Sequence, residues 1–200
     1  MKARTIFEDL RSVELVMKQG EYTDAFILLY MRFERQCRKL FVWLLVRHYN
    51  IPFSTVESLL AEGEWGAKEF INGFDKLSVR RNFKSIVSGH GGISADRFKM
   101  LKREFLEAQI RKHRGKIIQG SLTGKQLSSS KLADYCGHLI DWINAVTASM
   151  TAVYGYDGVT PWYDAIPMRK KHRESSFREV NSLRSFLVQK PEDIRKHWLE

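Results

Sequence analysis

Cysteine is scarce in this sequence, and the residue spacings that bind metals are missing. The 200 residues include two cysteines, Cys37 and Cys136, which lie far apart within helical patterns, so we expect buried reduced thiols. The six histidines are scattered, and no His-x-x-x-His or Cys-x-x-Cys pair places two ligands on one helical face. The sequence therefore predicts no metal and no other cofactor.

Long apolar runs are also missing. The longest run includes residues 41–46, lies between Lys39 and Arg47, and is far shorter than the roughly 20 residues that a membrane-spanning helix requires. At the N-terminus, Glu8 and Asp9 interrupt the chain before the apolar core of a signal peptide can form. We therefore expect a cytoplasmic protein that does not enter a membrane.

Two common motifs of nucleotide binding and hydrolysis do not occur. Residues Gly89-His90-Gly91-Gly92 predict a flexible turn, but they lack the lysine and the strand-to-helix setting of a phosphate-binding loop. No Gly-x-Ser-x-Gly elbow is found, although this absence leaves Ser-His-Asp catalysis open. Neither motif therefore supplies a function.

Helical periodicity is present through most of the chain, whereas strand-like alternation, internal repeats and low-complexity tracts are not. The 44% hydrophobic content is enough for one well-buried core. We therefore predict an all-α protein, a helical bundle of about four to six helices over residues 1–158, followed by an irregular aromatic and basic extension over residues 159–200.

The longest helical pattern runs from about residue 23 to residue 49. Thr23 or Asp24 can cap it, and Pro52 stops it. Its other face carries five cations against Glu34, which a solvated surface explains. The broad apolar stripe predicts the central helix of the core, and its members are Ala25, Phe26, Leu29, Tyr30, Phe33, Cys37, Leu40, Phe41 and Leu44.

Shorter helical patterns precede and follow this segment. Residues 6–18 place apolar side chains on one face, and Ser54-Thr55-Val56-Glu57 has the spacing of a capping box for a short helix. Ser94 or Asp96 begins a further helix, and the run Ser128-Ser129-Ser130 caps a long final one. We expect the final helix to pack antiparallel to its neighbours.

Positive charge is the strongest compositional signal. The chain has 33 Lys and Arg against 23 Asp and Glu, a net charge of +10. Between residues 97 and 116 there are eight Lys and Arg against two Glu, which gives 8 − 2 = +6, and residues 166–200 carry a further excess of 9 − 5 = +4. This balance favours an anionic partner such as nucleic acid.

The most basic part is the stretch Arg111-Lys112-His113-Arg114-Gly115-Lys116-Ile117-Ile118-Gln119-Gly120. An arginine beside a histidine at a turn can act on RNA without a metal, since the guanidinium stabilises charge on a phosphate and the imidazole moves a proton near neutral pH. The alternative is a helix end whose last carbonyls attract these cations, with Gly120 as the cap.

This stretch, together with Leu122-Thr123-Gly124, Leu127-Ser128 and Gly155-Tyr156-Asp157-Gly158, resembles the HEPN superfamily, in particular its RiboL-PSP-HEPN-like branch. The resemblance covers residues 80–160. It implies a helical bundle that forms a homodimer and cleaves RNA, such as tRNA, without a metal, in a toxin or antiviral defence system. An antitoxin or defence-system partner protein is also implied. In such a dimer, Arg and His from two subunits form one site where the RNA 2′-hydroxyl attacks the adjacent phosphate.

The family pattern, approximately Arg-Asn-x-Ile-x-His-Gly, is matched in part. Arg114 corresponds to the family arginine and Ile117 to the apolar position, whereas Gly115 and Gln119 replace the polar residue and the histidine. Glutamine cannot act as a general acid or base, so the change would cost roughly 10²- to 10⁴-fold in rate. His113 is the nearest substitute, although neighbouring residues on a helix point about 100° apart.

Two functions follow as alternatives, with a third through the extension. The first is an endoribonuclease with a catalytic set of Arg114, Gln119 and His113, impaired in this sequence. The second is a module without catalysis that binds nucleic acid or a partner protein. In either case Arg111, Lys112 and Lys116 would hold the phosphate backbone. The third is a regulatory subunit that a partner recognises through residues 160–200.

Overall fold

A computed structural model describes residues 6–48, 51–62, 65–77, 83–90, 93–103, 115–117 and 128–159. Within these ranges every regular element is helical, which confirms the predicted all-α fold. The described elements are α1 (Ile6–Lys18), α2 (Tyr22–Trp43) with a π-helical continuation (Leu44–His48), α3 (Phe53–Ala61), α4 (Ala67–Leu77), α5 (Phe83–His90), α6 (Ala95–Lys102) and α7 (Ser129–Tyr154). These segments outnumber the about four to six expected, because residues 53–102 form four short helices.

Helix α2 is the central helix of the core, as its apolar stripe predicts. All nine residues of the predicted stripe are buried. The predicted cap is wrong, however, because α2 begins at Tyr22 and leaves Thr23 and Asp24 inside its first turn. The residue before the helix, Glu21, makes no capping bond with its side chain.

Helix α7 packs along α2 in the same direction. Successive residues of α2 meet successive residues of α7, so the two helices run parallel, and the predicted antiparallel packing is wrong for this pair. The parallel arrangement is possible because the many residues between the two helices bring the chain back to the starting end of α2. The ring pairs along the interface are Phe26 with Tyr135, Phe33 with Trp142 and Trp43 with Tyr154, with centroids 6.1, 5.5 and 5.7 Å apart.

Helix α1 folds back on α2 after a short turn. Gly20 takes a left-handed conformation with φ of 81°, and α1 ends just before it. Across the pair, the Arg32 guanidinium donates to the Ser12 hydroxyl at 3.4 Å. Leu10 and Val13 are buried, and Met17 packs against the core. The predicted face of α1 is therefore confirmed at these three positions.

The four short helices differ from the sequence prediction at their ends. Helix α3 follows Pro52, so Ser54 lies inside the helix, and the predicted capping box does not form. Gly89 and His90 belong to α5, which replaces the predicted turn there with helix. Ser94 caps α6, as predicted, and its hydroxyl accepts a bond from the Arg97 amide at 3.1 Å.

Trp142 joins the short helices to α7. Its ring stacks on Phe98 of α6 and Phe83 of α5, with centroids 5.0 and 6.2 Å apart. Phe33 of α2 meets the Trp142 ring edge-on, with the two ring centroids 5.5 Å apart. One cluster of buried side chains thus connects α1 through α7.

No helix among the described residues is both long enough and apolar enough to cross a membrane.

The turn after α7 runs back across α2. Gly155 caps the helix with φ of 69°, and Tyr156 is buried and stacks on Trp43 at 5.5 Å. The Lys39 ammonium donates to the carbonyl of Val159 at 2.5 Å. Residues 155–159 are therefore fixed on the surface of the bundle before the extension begins, and residues 160–200 lie outside the described ranges.

Candidate functional site

The structure describes only the middle of the basic stretch, Gly115, Lys116 and Ile117, which form a helical turn. Ile117 packs against the hydrophobic core, and Lys116 is half-buried beside it. The described part of the stretch therefore contacts the folded domain through Ile117. The predicted site residues outside the described ranges are Arg111, Lys112, His113, Arg114 and Gln119.

The start of the basic region lies on α6. Arg97 forms an ion pair with Asp141 of α7, in which Nη2 of Arg97 and Oδ2 of Asp141 are 3.0 Å apart. Lys99 and Arg103 are exposed, and their spacing of four residues places them on the same side of the helix. Among the described residues neither cation forms an ion pair, so this part of the basic region presents uncompensated positive charge to solvent.

The buried titratable groups of the core are poor candidates for catalysis. Burial, reinforced by the charge of Glu34, raises the pKa of the Cys37 thiol, and burial raises the pKa of Cys136 from 9.0 to about 12. Burial and the neighbouring Asp157 likewise raise the pKa of the Tyr156 phenol. Because the thiolate is the nucleophilic form of cysteine, both thiols are inert at neutral pH. As predicted, they are buried and form no disulfide.

Metal ligands do not come together in the part of the chain that the structure describes. No group of three or more His, Cys, Asp or Glu lies in a metal-binding arrangement there. His138, on α7, is half-buried, and the predicted candidate His113 lies outside these ranges.

A second candidate site was not predicted from the sequence. It is a groove of about 410 Å³ between α2, α3 and the start of α4. The residues that line it are Met31, Glu34, Arg35, Arg38, Leu60 and Trp65, with Phe70 beneath them. We call it the α2–α4 groove.

Trp65 forms the aromatic wall of the α2–α4 groove and is fixed in place. Its ring stacks on Phe41 and Phe70 with centroids 5.4 and 5.7 Å away, and these two phenyl rings are 5.8 Å from each other. The three centroids form a nearly equilateral triangle, so both phenyl rings lie on the same side of the indole. The indole N–H also donates to the carbonyl of Leu59 at 3.2 Å. The ring is therefore oriented before any ligand arrives.

Arg35 and Arg38 supply the charge of the α2–α4 groove. They are exposed and three residues apart on α2, and within the described residues neither forms an ion pair. Glu34 lines the groove as well, near Gly66, so the lining carries a net charge of 2 − 1 = +1. The groove thus combines a fixed aromatic ring, two guanidinium groups and one carboxylate.

The sequence did contain a signal for this groove. Arg35 and Arg38 belong to the basic face of the long helix, which a solvated surface had explained. Leu60 belongs to the short helix that the sequence predicts after Ser54, whereas Trp65 and Phe70 come from residues 63–73, where glycines and aromatic residues alternate and the sequence defines no element. Aromatic residues near unpaired arginines in three-dimensional space are typical of nucleic-acid sites, but this juxtaposition depends on tertiary packing.

Comparison of the chain with family models, with curated proteins and with solved structures found no match. A functional proposal for this protein therefore depends on its own residues and their arrangement.

Proposed function

We propose that this protein acts on RNA as a HEPN-like endoribonuclease whose activity is impaired by Gln119. The observation that carries the proposal is the basic stretch, in which Arg114 and Ile117 match the family pattern. Two features of the structure support it. The regular elements among the described residues are all helical, and Ile117 of the stretch packs against the core.

Each residue of the stretch has a separate role in this proposal. Arg114 binds the scissile phosphate and stabilises the charge that develops when the RNA 2′-hydroxyl attacks it. Gln119 can hydrogen-bond a phosphate or a water molecule but cannot transfer a proton near pH 7. His113 is the candidate general base, and a homodimer would place it opposite the partner's basic stretch.

The second candidate function is a binding module that has kept the scaffold and lost the chemistry. It is favoured by Gln119 and by the exposed cations Lys99 and Arg103, which precede the basic stretch in the sequence. In this form Arg111, Lys112, Arg114 and Lys116 hold the phosphate backbone of RNA. An antitoxin or defence-system protein is the corresponding partner if RNA is not bound.

A cleavage assay with a chelator present tests the first function. Purified wild-type protein and the Gln119→His variant are incubated with total RNA and with tRNA, and the products are examined for cyclic phosphate ends. We expect Gln119→His to cleave about 10²- to 10⁴-fold faster than wild type, because the histidine restores general acid–base catalysis. Adding Arg114→Ala to the faster variant should abolish cleavage.

A matched control separates this effect from a contaminating nuclease. Gln126→His adds a histidine outside the family pattern, and it should leave the rate at the wild-type level. If Gln119→His and wild type both leave all RNA intact while RNA binding persists, the binding module is the correct function. If neither variant binds nor cleaves RNA, the endoribonuclease and the RNA-binding form of the module are both wrong, and the partner of the module is a protein.

A further inference from the structure

The α2–α4 groove has no role in the cleavage chemistry assigned to the basic stretch. Its parts come from α2, α3 and the start of α4, and the family resemblance begins only at residue 80. We propose that the groove is a second binding site that takes one nucleotide of a single-stranded RNA, with the base against Trp65 and the adjacent phosphates at Arg35 and Arg38. The choice of RNA as ligand rests on the proposed function.

The aromatic wall indicates a planar ligand. Phe41 and Phe70 cover one side of the Trp65 ring, and the half-buried indole also lines the groove. Because its N–H is already bonded to Leu59, Trp65 offers a ligand only its ring surface and edge. A base can stack on such a ring whatever its sequence, since every base has a flat aromatic face.

The apolar wall indicates the same ligand. Met31 is 54% exposed although it lines the groove, and Leu60 faces it from α3 as a half-buried side chain. A methionine side chain is flexible and polarizable, so Met31 can adapt its shape to a ligand. These two side chains can cover the edge of a stacked base.

The charges place the rest of the nucleotide. Arg35 and Arg38 lie three residues apart on α2, about 4.5 Å along the helix axis, and each guanidinium can bind a phosphate through two parallel hydrogen bonds. Glu34 repels phosphate and can accept a hydrogen bond from a base amino group. An inorganic phosphate would gain only the arginines, whereas a nucleotide also gains the ring, so the groove favours the nucleotide.

Binding is measured with the full chain and a fluorescein-labelled 2′-O-methyl RNA of about 12 nucleotides, within the site sizes of single-strand binding proteins. This probe lacks the 2′-hydroxyl nucleophile, so cleavage cannot interfere. Trp65→Leu should weaken binding about 5- to 100-fold through lost stacking. The same variant should bind an abasic strand of equal length as wild type does, because that strand has no base to stack.

The charge contribution is tested with a matched pair of double variants. Arg35→Gln with Arg38→Gln should weaken binding and lower the salt dependence, by roughly 1.4 in the slope of log K against log salt for two phosphates. Arg11→Gln with Lys18→Gln removes the same charge from exposed positions on α1. This control should leave the slope unchanged. Thermal unfolding of all variants verifies that they are folded.

The outcomes separate this inference from the proposed function. If both double variants change the affinity equally and Trp65→Leu changes nothing, the groove is not a nucleotide site, whereas RNA binding by the basic stretch stands. If a polyglutamate peptide competes as well as the RNA does, the groove takes an acidic peptide instead. If the wild type binds no RNA, the nucleotide site in the groove and RNA binding by the basic stretch are both wrong. The endoribonuclease function would then stand only if the Gln119→His variant cleaves RNA.

Discussion

Gly158 is the residue at which the turn after α7 closes on α2. Its φ of +77° is a left-handed conformation that side chains rarely adopt, and a Cβ there would lie 2.7 Å from Cγ of Leu40. Gly158→Ala should therefore lower the free energy of unfolding by about 2 to 4 kcal/mol, since it adds both backbone strain and overpacking. Urea unfolding, followed by circular dichroism, measures the change.

Gly137 is the matched control for that substitution. It lies in the interior of α7, and a Cβ there would meet nothing within 4 Å. Gly137→Ala should therefore raise the free energy of unfolding by about 0.5 to 1 kcal/mol, because alanine has the better helix propensity. Equal destabilisation by both substitutions would contradict the packing of the turn on α2.

Gln36 shows what a residue-by-residue prediction missed. Its spacing places it on the apolar stripe of α2, between Phe33 and Leu40, and it is 2% exposed. Its amide donates to the Thr147 hydroxyl at 2.9 Å and to the carbonyl of Asp157 at 3.0 Å, which ties α2 to α7 and to the turn. The sequence could have indicated burial from the spacing, but the partners come from more than 100 residues away.

At the scale of the helices, the contribution of a side-chain cap to stability can be tested by comparing two serines, one that caps a helix and one that does not. Ser128 precedes α7, and its hydroxyl accepts a bond from the Lys131 amide at 3.3 Å. Ser128→Ala should destabilise the protein by about 1 kcal/mol. Thermal unfolding of purified variants measures this loss.

Ser54 is the contrasting position. It had the sequence of a capping residue, but α3 begins after Pro52, and Ser54 lies within the helix. Ser54→Ala should therefore change the free energy of unfolding by less than about 0.5 kcal/mol, with a gain more expected than a loss. A loss as large as that of Ser128→Ala would show that the capping box forms after all.

Local periodicity predicted the helices well because it depends on neighbours in the chain. The stripe of α2, the face of α1 and the caps at Ser94 and Ser128 are all confirmed. Helix direction was not predictable in the same way. Which neighbour α7 meets, and in which direction, depends on the path of the residues between α2 and α7, and no periodicity encodes that path.

At the scale of the molecule, the two candidate sites differ in how far the sequence alone can predict them. The basic stretch is continuous in sequence, so the order of its residues is enough to identify its charge and its resemblance to the HEPN pattern. The α2–α4 groove brings residues 31–38 beside residues 60–70, and its aromatic wall exists only when α4 packs on α2. Gly73 permits that close packing, since a Cβ there would lie 2.5 Å from the Phe41 ring.

The two cysteines report on the stability of the whole bundle, because Cys37 lies in α2 and Cys136 in α7. Burial raises the pKa of both thiols, so the folded protein keeps protons that the unfolded chain loses above its ordinary thiol pKa of 9.0. The protonated thiols therefore stabilise the folded protein below that pH. This stabilisation is lost as the pH rises towards about 12, the pKa of Cys136 in the folded protein. The free energy of unfolding in urea should be about 1.5 to 2 kcal/mol lower at about pH 9.5 than at about pH 7.

The double variant Cys37→Ala with Cys136→Ala is the control for this prediction. It should lose most of the difference between the two pH values, whatever its stability at neutral pH. In the wild type, a thiol reagent should label both cysteines at the same urea concentration, because both lie in one cluster of buried side chains. Labelling of Cys136 well before Cys37 would mean that α7 leaves α2 before the rest of the bundle unfolds, and the parallel α2–α7 contact would then not be the centre of the core.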